Sequence, residues 1–154
     1  MENIISLNNK KVKKLSLNLN DQFGFLGSLK DYAIFMRKKD SAIKVITRDV
    51  EKIMDKRLNI DSLGLRIGKE ITDGILLTIE GAQLIGPECT KNIIELNEEE
   101  SRLWLRGFDI EKKEVGYGFV ILKNSKGDFL GSAKVKKDLI INNISKTRRI
   151  KSKD

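Results

Sequence analysis

The sequence of 154 residues has no histidine, one cysteine and one proline. Without histidine the chain cannot build a Ser-His-Asp or Cys-His catalytic arrangement, or a zinc site with histidine ligands. A lone cysteine, Cys89, excludes an internal disulfide and a zinc cluster made of cysteines. These absences argue against a self-contained enzyme. We expect no catalytic residues, no metal, no cofactor and a reducing, cytoplasmic environment.

Long apolar segments are also missing. No run approaches the roughly 20 residues of a membrane-spanning helix, and the polar N-terminus MENIISLNNKKVKK does not resemble a signal peptide. Hydrophobic residues still make up 40% of the chain and charged residues 34%. This composition predicts a folded core beneath a densely charged surface, organised as one ordinary domain or two small ones.

The formal charge of +8 is concentrated at one end of the chain. Residues 1–120 carry 20 basic and 19 acidic side chains, whereas residues 121–154 carry ten basic and three acidic ones, a net of +7. Two interpretations fit this excess: a surface that binds nucleic acid, or a solvated tail. A membrane-surface role is less favoured, because the basic residues alternate with strand-like apolar pairs and do not share one face of a long helix.

The first half of the sequence predicts a small α/β unit. Leu15, Leu17 and Leu19 alternate as in a strand, and the segment 21–29 fits a short helix or a turn. Residues 31–37 and 42–47 are typical of paired strands joined by a polar turn. From Val50 onward the apolar spacing becomes helical, with Thr47 available as the cap.

The segment 62–88 predicts strands separated by glycines. Thr72-Asp73-Gly74 is a hairpin turn, and ILLTIEGAQLI (75–85) continues as a strand. The single proline, Pro87, suggests a boundary. We therefore divide the chain into an N-terminal domain (1–88), a C-terminal domain (89–150) and a basic tail (151–154).

The clearest local signal is a helix over NEEESRLWLRG, residues 97–107. Asn97 is a good N-cap, Glu100 stands at the capping-box position, and Gly107 supplies a left-handed stop. Leu103 is expected to face the core, with Trp104 within reach of Phe108. A β-hairpin follows, with strands over 116–124 and 129–135 around a Lys126-Gly127-Asp128 turn, and then a strand over 138–144.

The aromatic side chains of this region fit either of two roles, base stacking or core packing. Tyr117, between two glycines, is the best stacking candidate. Phe119 is expected in the core.

Three segments together resemble a PUA-like RNA-binding domain: ELNEEESRLWLRGFDI (95–110), GYGFVILKNSKGDFLGSAKV (116–135) and INNISKTRRI (141–150). The closest resemblance is to the C-terminal domain of the Fmu/Sun (NOL/NOP) RNA cytosine-5 methyltransferases and to related archaeal ribosome-biogenesis proteins. The family helix has the pattern E-A-x-x-Y-L-R-G-E, and Glu100, Ser101 and 104–107 stand at E, A, Y, L, R and G. SLGLRIGKE (62–70) is similar to a family segment that precedes this domain.

Two later family motifs are also present. In the motif P-L-G-x-G-K, the first three positions are held by Phe129, Leu130 and Gly131, and the last two by Ala133 and Lys134. In K-N-x-x-P-K-x-x-R, the matching residues are Asn142, Lys146 and Arg149, whereas Ile141 and Ser145 depart from the family lysine and proline.

The resemblance implies an α+β fold, in which a small N-terminal α/β (pre-PUA-like) unit precedes a PUA-like mixed β-barrel with a short capped helix. It implies a non-catalytic protein that binds structured rRNA or tRNA, in ribosome biogenesis, rRNA processing or tRNA modification. The S-adenosylmethionine domain of the methyltransferases has no counterpart here. Any catalysis would then belong to a separate chain, such as a methyltransferase or a ribosome-assembly protein.

The resemblance and the charge pattern nominate RNA-contacting residues. The residues that would hold phosphates are Lys134, Lys146, Arg148 and Arg149. Two further cations, Arg102 and Arg106, would contact the RNA from the helix. The side chain of Asn142 and the backbone at Gly131 would read a base or a 2′-hydroxyl. Two other classes of function stay open. One is a protein–protein adaptor that docks an acidic partner, and the other is a small RNA-modifying enzyme, for which no residues can be named.

Overall fold

A computed structural model describes residues 4–49 and 64–151 of the chain. Within these residues lie two five-stranded sheets. The first sheet is antiparallel throughout, and its strands follow one another in chain order. Its members are β1 (Ile4–Ser6), β2 (Tyr32–Arg37), β3 (Ala42–Thr47), β4 (Leu65–Ile71) and β5 (Gly74–Leu77).

The second sheet lies in the C-terminal half and curls into a half-barrel. Its order is β6-β8-β9-β10-β7, and only β6 and β8 run parallel. The strands are β6 (Ile93–Glu95), β7 (Ile110–Glu111), β8 (Gly118–Lys123), β9 (Phe129–Lys136) and β10 (Leu139–Ile141). The mixed sheet and its helices confirm the predicted α+β class.

The first helix, α1 (Asn9–Phe23), corrects the strand predicted at Leu15 to Leu19. Asn8 caps it by accepting a hydrogen bond from the Lys11 amide, and Gly24 ends it in the left-handed conformation. Leu15, Leu19 and Phe23 are buried, four residues apart, whereas Leu17 is exposed. The prediction was wrong because alternating leucines also satisfy an i, i+4 helical stripe.

The next predictions have mixed outcomes. The paired strands β2 and β3 and the turn at residues 72–74 are confirmed, whereas the helix predicted from Val50 lies outside the described residues. The strand predicted over 75–85 is wrong beyond Leu77. There Thr78 accepts a hydrogen bond from the Gly81 amide and starts helix α2 (Ile79–Ile85), which a 3₁₀ turn over Gly86–Glu88 extends.

Helix α3 (Glu98–Leu105) confirms the helix predicted over 97–107. Asn97 and Glu100 form the reciprocal capping box. Trp104 is fully buried, and its Nε1 donates a hydrogen bond to the Leu130 carbonyl at 2.8 Å. It belongs to the core, and Phe108 is left half exposed.

The hairpin of β8 and β9 is also confirmed, and β10 is shorter than the strand predicted over 138–144. A second 3₁₀ turn, Lys146–Arg148, follows β10.

Two large hydrophobic cores result from this arrangement, and a third, small cluster on the first sheet contains Ala33, Phe35 and Ile46. The shared core contains α1, the inner face of the first sheet, Cys89 and also Ile121 of β8. The C-terminal core contains Trp104 and residues of β8, β9 and β10, such as Val120 and Ile140. Because strand residues alternate between faces, β8 gives Val120 to one core and Ile121 to the other. The halves therefore pack on a common sheet, and a domain boundary after residue 88 stays a prediction.

Candidate nucleic-acid interface

A cleft of about 450 Å³ lies where the two halves meet, and we call it the junction cleft. One wall consists of residues of β4, β5 and the start of α2, and the other of Leu130, Gly131 and residues 143–145, 147 and 148. Its charged residues are Arg66, Lys69, Glu80 and Arg148. Of the residues nominated from the sequence, the structure brings Gly131 and Arg148 to this cleft.

Arg148 is held at the cleft by Glu80 of α2. Its Nη1 donates to Glu80 Oε1 at 3.1 Å, and its Nη2 bonds the second carboxylate oxygen, so the contact is bidentate. This hydrogen bond lowers the pKa of Glu80, and the carboxylate in turn raises the pKa of Arg148. A carboxylate from the N-terminal half thus orients a cation from the C-terminal half.

Lys134 makes a similar contact away from the cleft. Its Nζ donates to Asp73 Oδ2 at 2.6 Å and lies 5.9 Å from the centre of the Phe119 ring. The hydrogen bond from Lys134 lowers the pKa of Asp73. Lys134 is three residues beyond Gly131 along β9, a separation of about 10 Å in a strand. It therefore lies near the β4–β5 turn, apart from Arg148.

Arg149 lies against the end of α3. Its Nε donates to the Ile144 carbonyl at 2.9 Å. A Cβ atom added to Gly107 would come within 2.4 Å of Arg149 Cδ, and φ at Gly107 is +98°. The positive φ favours glycine at this position, and a larger residue would also push the Arg149 side chain aside. Part of the Arg149 side chain is therefore structural, because it secures the C-terminal segment beside Gly107.

Two more nominated arginines belong to this region. Arg102 is exposed on α3, and Arg106 follows one turn later, its guanidinium 5.4 Å from the centre of the Phe108 ring. Lys146 is exposed in the second 3₁₀ turn, and no ion pair to it occurs among the described residues. These positions give a basic surface around the end of α3 and the 3₁₀ turn.

Asn142 differs from the other nominated residues because its amide is used internally. Its Nδ2 donates to the carbonyls of Trp104 (2.8 Å) and Phe108 (3.0 Å), and its Oδ1 accepts from the Ile144 amide at 2.8 Å. Asn142 thus fastens the segment after β10 to α3. Base reading by Asn142 stays a prediction, and it would require these bonds to be shared or broken.

The aromatic predictions separate clearly. Tyr117 has 69% of its surface exposed, as a stacking residue requires. Phe119 is half buried and packs against the shared core, which confirms its expected packing role.

Sequence reasoning missed three residues of the cleft: Arg66, Lys69 and Glu80. Arg66 and Lys69 fall within the segment 62–70, which resembles a family segment, but no motif marks them as a site. Glu80 lies two residues after Thr78, the N-cap of α2, in a segment that was predicted to be a strand. These three residues lie near Arg148 because α2 and β4 pack against the C-terminal half. Such a long-range contact cannot be predicted from a local sequence pattern.

The described residues contain no cluster of three or more side chains suited to a metal ion. Cys89 is buried, and desolvation raises its thiol pKa to about 11, so the thiol is protonated at neutral pH. Across the same ranges, no helix has the length and apolar character that crossing a membrane requires.

The family model of the methyltransferase RsmF PUA domain matches residues 91–150. No curated protein matches the chain. Among solved structures, a conserved PUA domain protein from Thermoplasma acidophilum shares 13% identity and a TM-score of 0.60, over 88% of this chain and 81% of that one. A hypothetical protein from Pyrococcus horikoshii shares 15% identity and a TM-score of 0.56, over 88% and 83%.

A third solved structure, a PUA domain from Aeropyrum pernix in a tartrate complex, shares 12% identity and a TM-score of 0.52, over 88% of this chain and 73% of that one. The match of residues 91–150 to this family model and the shared fold confirm the resemblance to a PUA-like domain that the sequence showed. PUA domains are RNA-binding domains, so the match implies RNA binding.

Proposed function

We propose that this protein binds structured rRNA or tRNA without catalysing a reaction, during ribosome biogenesis or RNA modification in the cytoplasm. One observation carries the proposal: the PUA-like domain of residues 91–150 places exposed cations beside a cleft that the N-terminal half completes. Where chemistry follows, a separate chain, such as a methyltransferase or an assembly protein, performs it.

The basic surface around α3 and the second 3₁₀ turn suits an RNA backbone. Arg102 and Lys146 are exposed and ready to meet phosphates, which contribute most of the affinity in nucleic-acid binding. Arg148 and Lys134 are each bonded to a carboxylate. A phosphate must displace or share Glu80 or Asp73, so these two cations add less affinity than their charge suggests.

The first test is the salt dependence of binding to a structured RNA. Five phosphate contacts predict a log–log slope of roughly −3.5 to −4.5. Fluorescence anisotropy with a labelled RNA hairpin, measured from low to physiological salt, gives this slope. Binding that does not change with salt would contradict the phosphate role.

The second test removes two cations and keeps the structural bond of Arg149. We expect Lys146→Met combined with Arg148→Met to weaken binding to all RNA sequences about equally, because phosphate contacts carry no sequence information. The matched control is Lys38→Met with Lys39→Met, which removes the same charge from the exposed β2–β3 turn. Equal losses in both double variants would place the interface elsewhere.

The adaptor alternative has one specific observation in its favour. Lys134 and Arg148 already donate hydrogen bonds to the carboxylates of Asp73 and Glu80, so an acidic protein surface could replace these partners. The two functions separate in one purification. An adaptor would have no affinity for RNA hairpins and would copurify with one protein partner, whereas an RNA-binding protein would bind hairpins when pure.

A further inference from the structure

We propose that the junction cleft holds one unpaired nucleotide of the bound RNA, with its phosphate on Arg66 and Lys69. The inference rests on the proposed RNA binding and extends it to a subsite that the N-terminal half builds. Neither cation belongs to the segment 91–150 that matches the PUA model.

The size and walls of the cleft suit a single nucleotide. Its volume of about 450 Å³ falls within the roughly 300–1,000 Å³ of small-molecule pockets. Leu76, Ile79 and Leu130 supply apolar wall, and Thr147 adds a hydroxyl at the C-terminal side. A flat base needs this mixture, an apolar surface for its faces and polar groups for its edges.

The charge balance of the cleft selects an anion. Glu80 is engaged by Arg148 in a bidentate contact, which leaves Arg66 and Lys69 without a balancing carboxylate among the lining residues. The charge of Arg66 helps to lower the pKa of Asp40, but both carboxylate oxygens of Asp40 accept hydrogen bonds from Arg37. A phosphate would therefore meet two cations on the β4 wall.

Arg66 itself is incompletely satisfied. Its Nε is buried and has no hydrogen-bond partner in the described structure. A buried N–H without an acceptor is costly, and a charged acceptor gives the strongest compensation. A phosphate in the cleft that draws the guanidinium outward would supply that acceptor, which distinguishes Arg66 from an ordinary surface arginine.

An RNA residue is favoured over a free nucleotide because Gly131 and Arg148 connect the cleft to the basic surface of the C-terminal half. The helical parts of an RNA would lie on that surface. A base held in a duplex cannot enter the cleft, whereas a bulged or terminal residue can. The protein would then recognise the point where a helix ends or is interrupted.

The experiment compares three RNA hairpins: one with a blunt end, one with a single 3′ adenosine, and one whose extra residue lacks its base. We expect the adenosine hairpin to bind about tenfold tighter than the blunt one, the effect of one good polar contact. The abasic hairpin should fall between them. In Arg66→Met and Lys69→Met we expect this gain to disappear while blunt-hairpin binding remains.

The charge-matched control is Arg48→Met, an exposed arginine of the same half outside the cleft, which should keep the gain. Thermal unfolding confirms that each variant is folded, and Lys69→Met carries the test if Arg66→Met is not. Equal affinity for all three hairpins would overturn the inference and leave the proposed function standing. Failure to bind any hairpin would overturn both. If the protein binds adenosine monophosphate but shows no preference among the hairpins, the cleft is a site for a free nucleotide, and the proposal of a bound RNA residue is wrong.

Discussion

The N-terminal and C-terminal halves differ in how each builds its core. The buried residues of the C-terminal core, among them Trp104, all come from the C-terminal half, and Ile79 of α2 packs against them. The shared core is made mostly of N-terminal residues but is closed by Ile121, with Phe119 and Phe129 packed against it. The PUA-like half therefore has a core of its own, whereas the N-terminal half depends on β8 for part of its apolar contact.

The ion pairs do not follow the division of the cores, since each half has a pair of its own, and Lys112 pairs with Glu100 inside the C-terminal half. Arg37 and Asp40 pair within the β2–β3 turn, and this contact requires no other part of the molecule. The Glu80–Arg148 and Asp73–Lys134 pairs join the halves, and each takes its acid from the N-terminal side. The N-terminal half thus contributes acids that orient the cations of its neighbour.

The largest expected effect comes from the C-terminal core. We expect Trp104→Ala to lower the free energy of unfolding by about 3–5 kcal/mol, because a fully buried indole and its bond to Leu130 are lost. Urea unfolding followed by circular dichroism measures the change. Phe108→Ala, at a half-exposed ring, is the control, and an equal loss there would contradict the core assignment.

A second substitution tests the dependence of the N-terminal half. We expect Ile121→Ala to cost about 2–5 kcal/mol and to reduce amide protection in α1, although Ile121 is a C-terminal residue. Native-state hydrogen exchange measures this protection. Val120→Ala, one residue away on the other face, should spare α1. If α1 responds equally to both changes, the cores are not separate.

Loss of the Asn142 amide should be smaller. Asn142→Ala leaves the Trp104 and Phe108 carbonyls without their donor and is expected to cost about 1–3 kcal/mol in urea unfolding. Asn143→Ala, which loses a single bond to the Ser132 carbonyl, should cost less. If Asn142→Ala leaves the free energy of unfolding unchanged, the other bonds of this segment, such as those of Asn143 and Arg149, hold it without the Asn142 amide.

Glu80→Gln tests the contact between the halves. We expect it to release Arg148, raise RNA affinity a few-fold and cost less than about 1 kcal/mol, because Arg148 is more than half exposed. The pKa of Glu80 is lowered in the folded protein, so its stabilisation is present above the unfolded pKa and lost as pH falls through the folded pKa. The variant should lack this acid-induced loss, whereas Glu88→Gln should retain it. Unchanged RNA affinity would remove Arg148 from the interface.

The local pair should have the smallest effect. Arg37 lowers the pKa of Asp40 to about 2, so the stability from this pair is present above the unfolded value of about 3.9 and is lost as pH falls towards 2. Because the pair is partly exposed, Asp40→Asn should cost below about 1 kcal/mol at neutral pH. The free energy of unfolding of Asp40→Asn, measured across that acid range, should depend less steeply on pH than that of the wild type.

Prediction from sequence succeeded where neighbouring residues determine the structure. Helix α3 carries its own start and stop in Asn97, Glu100 and Gly107, and those signals were read correctly. The strand predicted at Leu15 to Leu19 failed, because three alternating leucines fit two periods and only the packing of Leu19 and Phe23 in the shared core decides between them. The strand predicted beyond Leu77 failed because the cap at Thr78 was not recognised.

The sequence by itself determined the basic C-terminal end, the lack of histidine chemistry and the capped helix, because these depend on composition or on neighbouring residues. The α+β class followed from the resemblance of its motifs to a known family. Only the tertiary structure decided that Arg66, Lys69 and Glu80 meet Arg148, that Asn142 is fastened to α3, and that Ile121 completes the shared core. The physical reason is that these contacts join residues far apart in the chain, through the packing of two sheets.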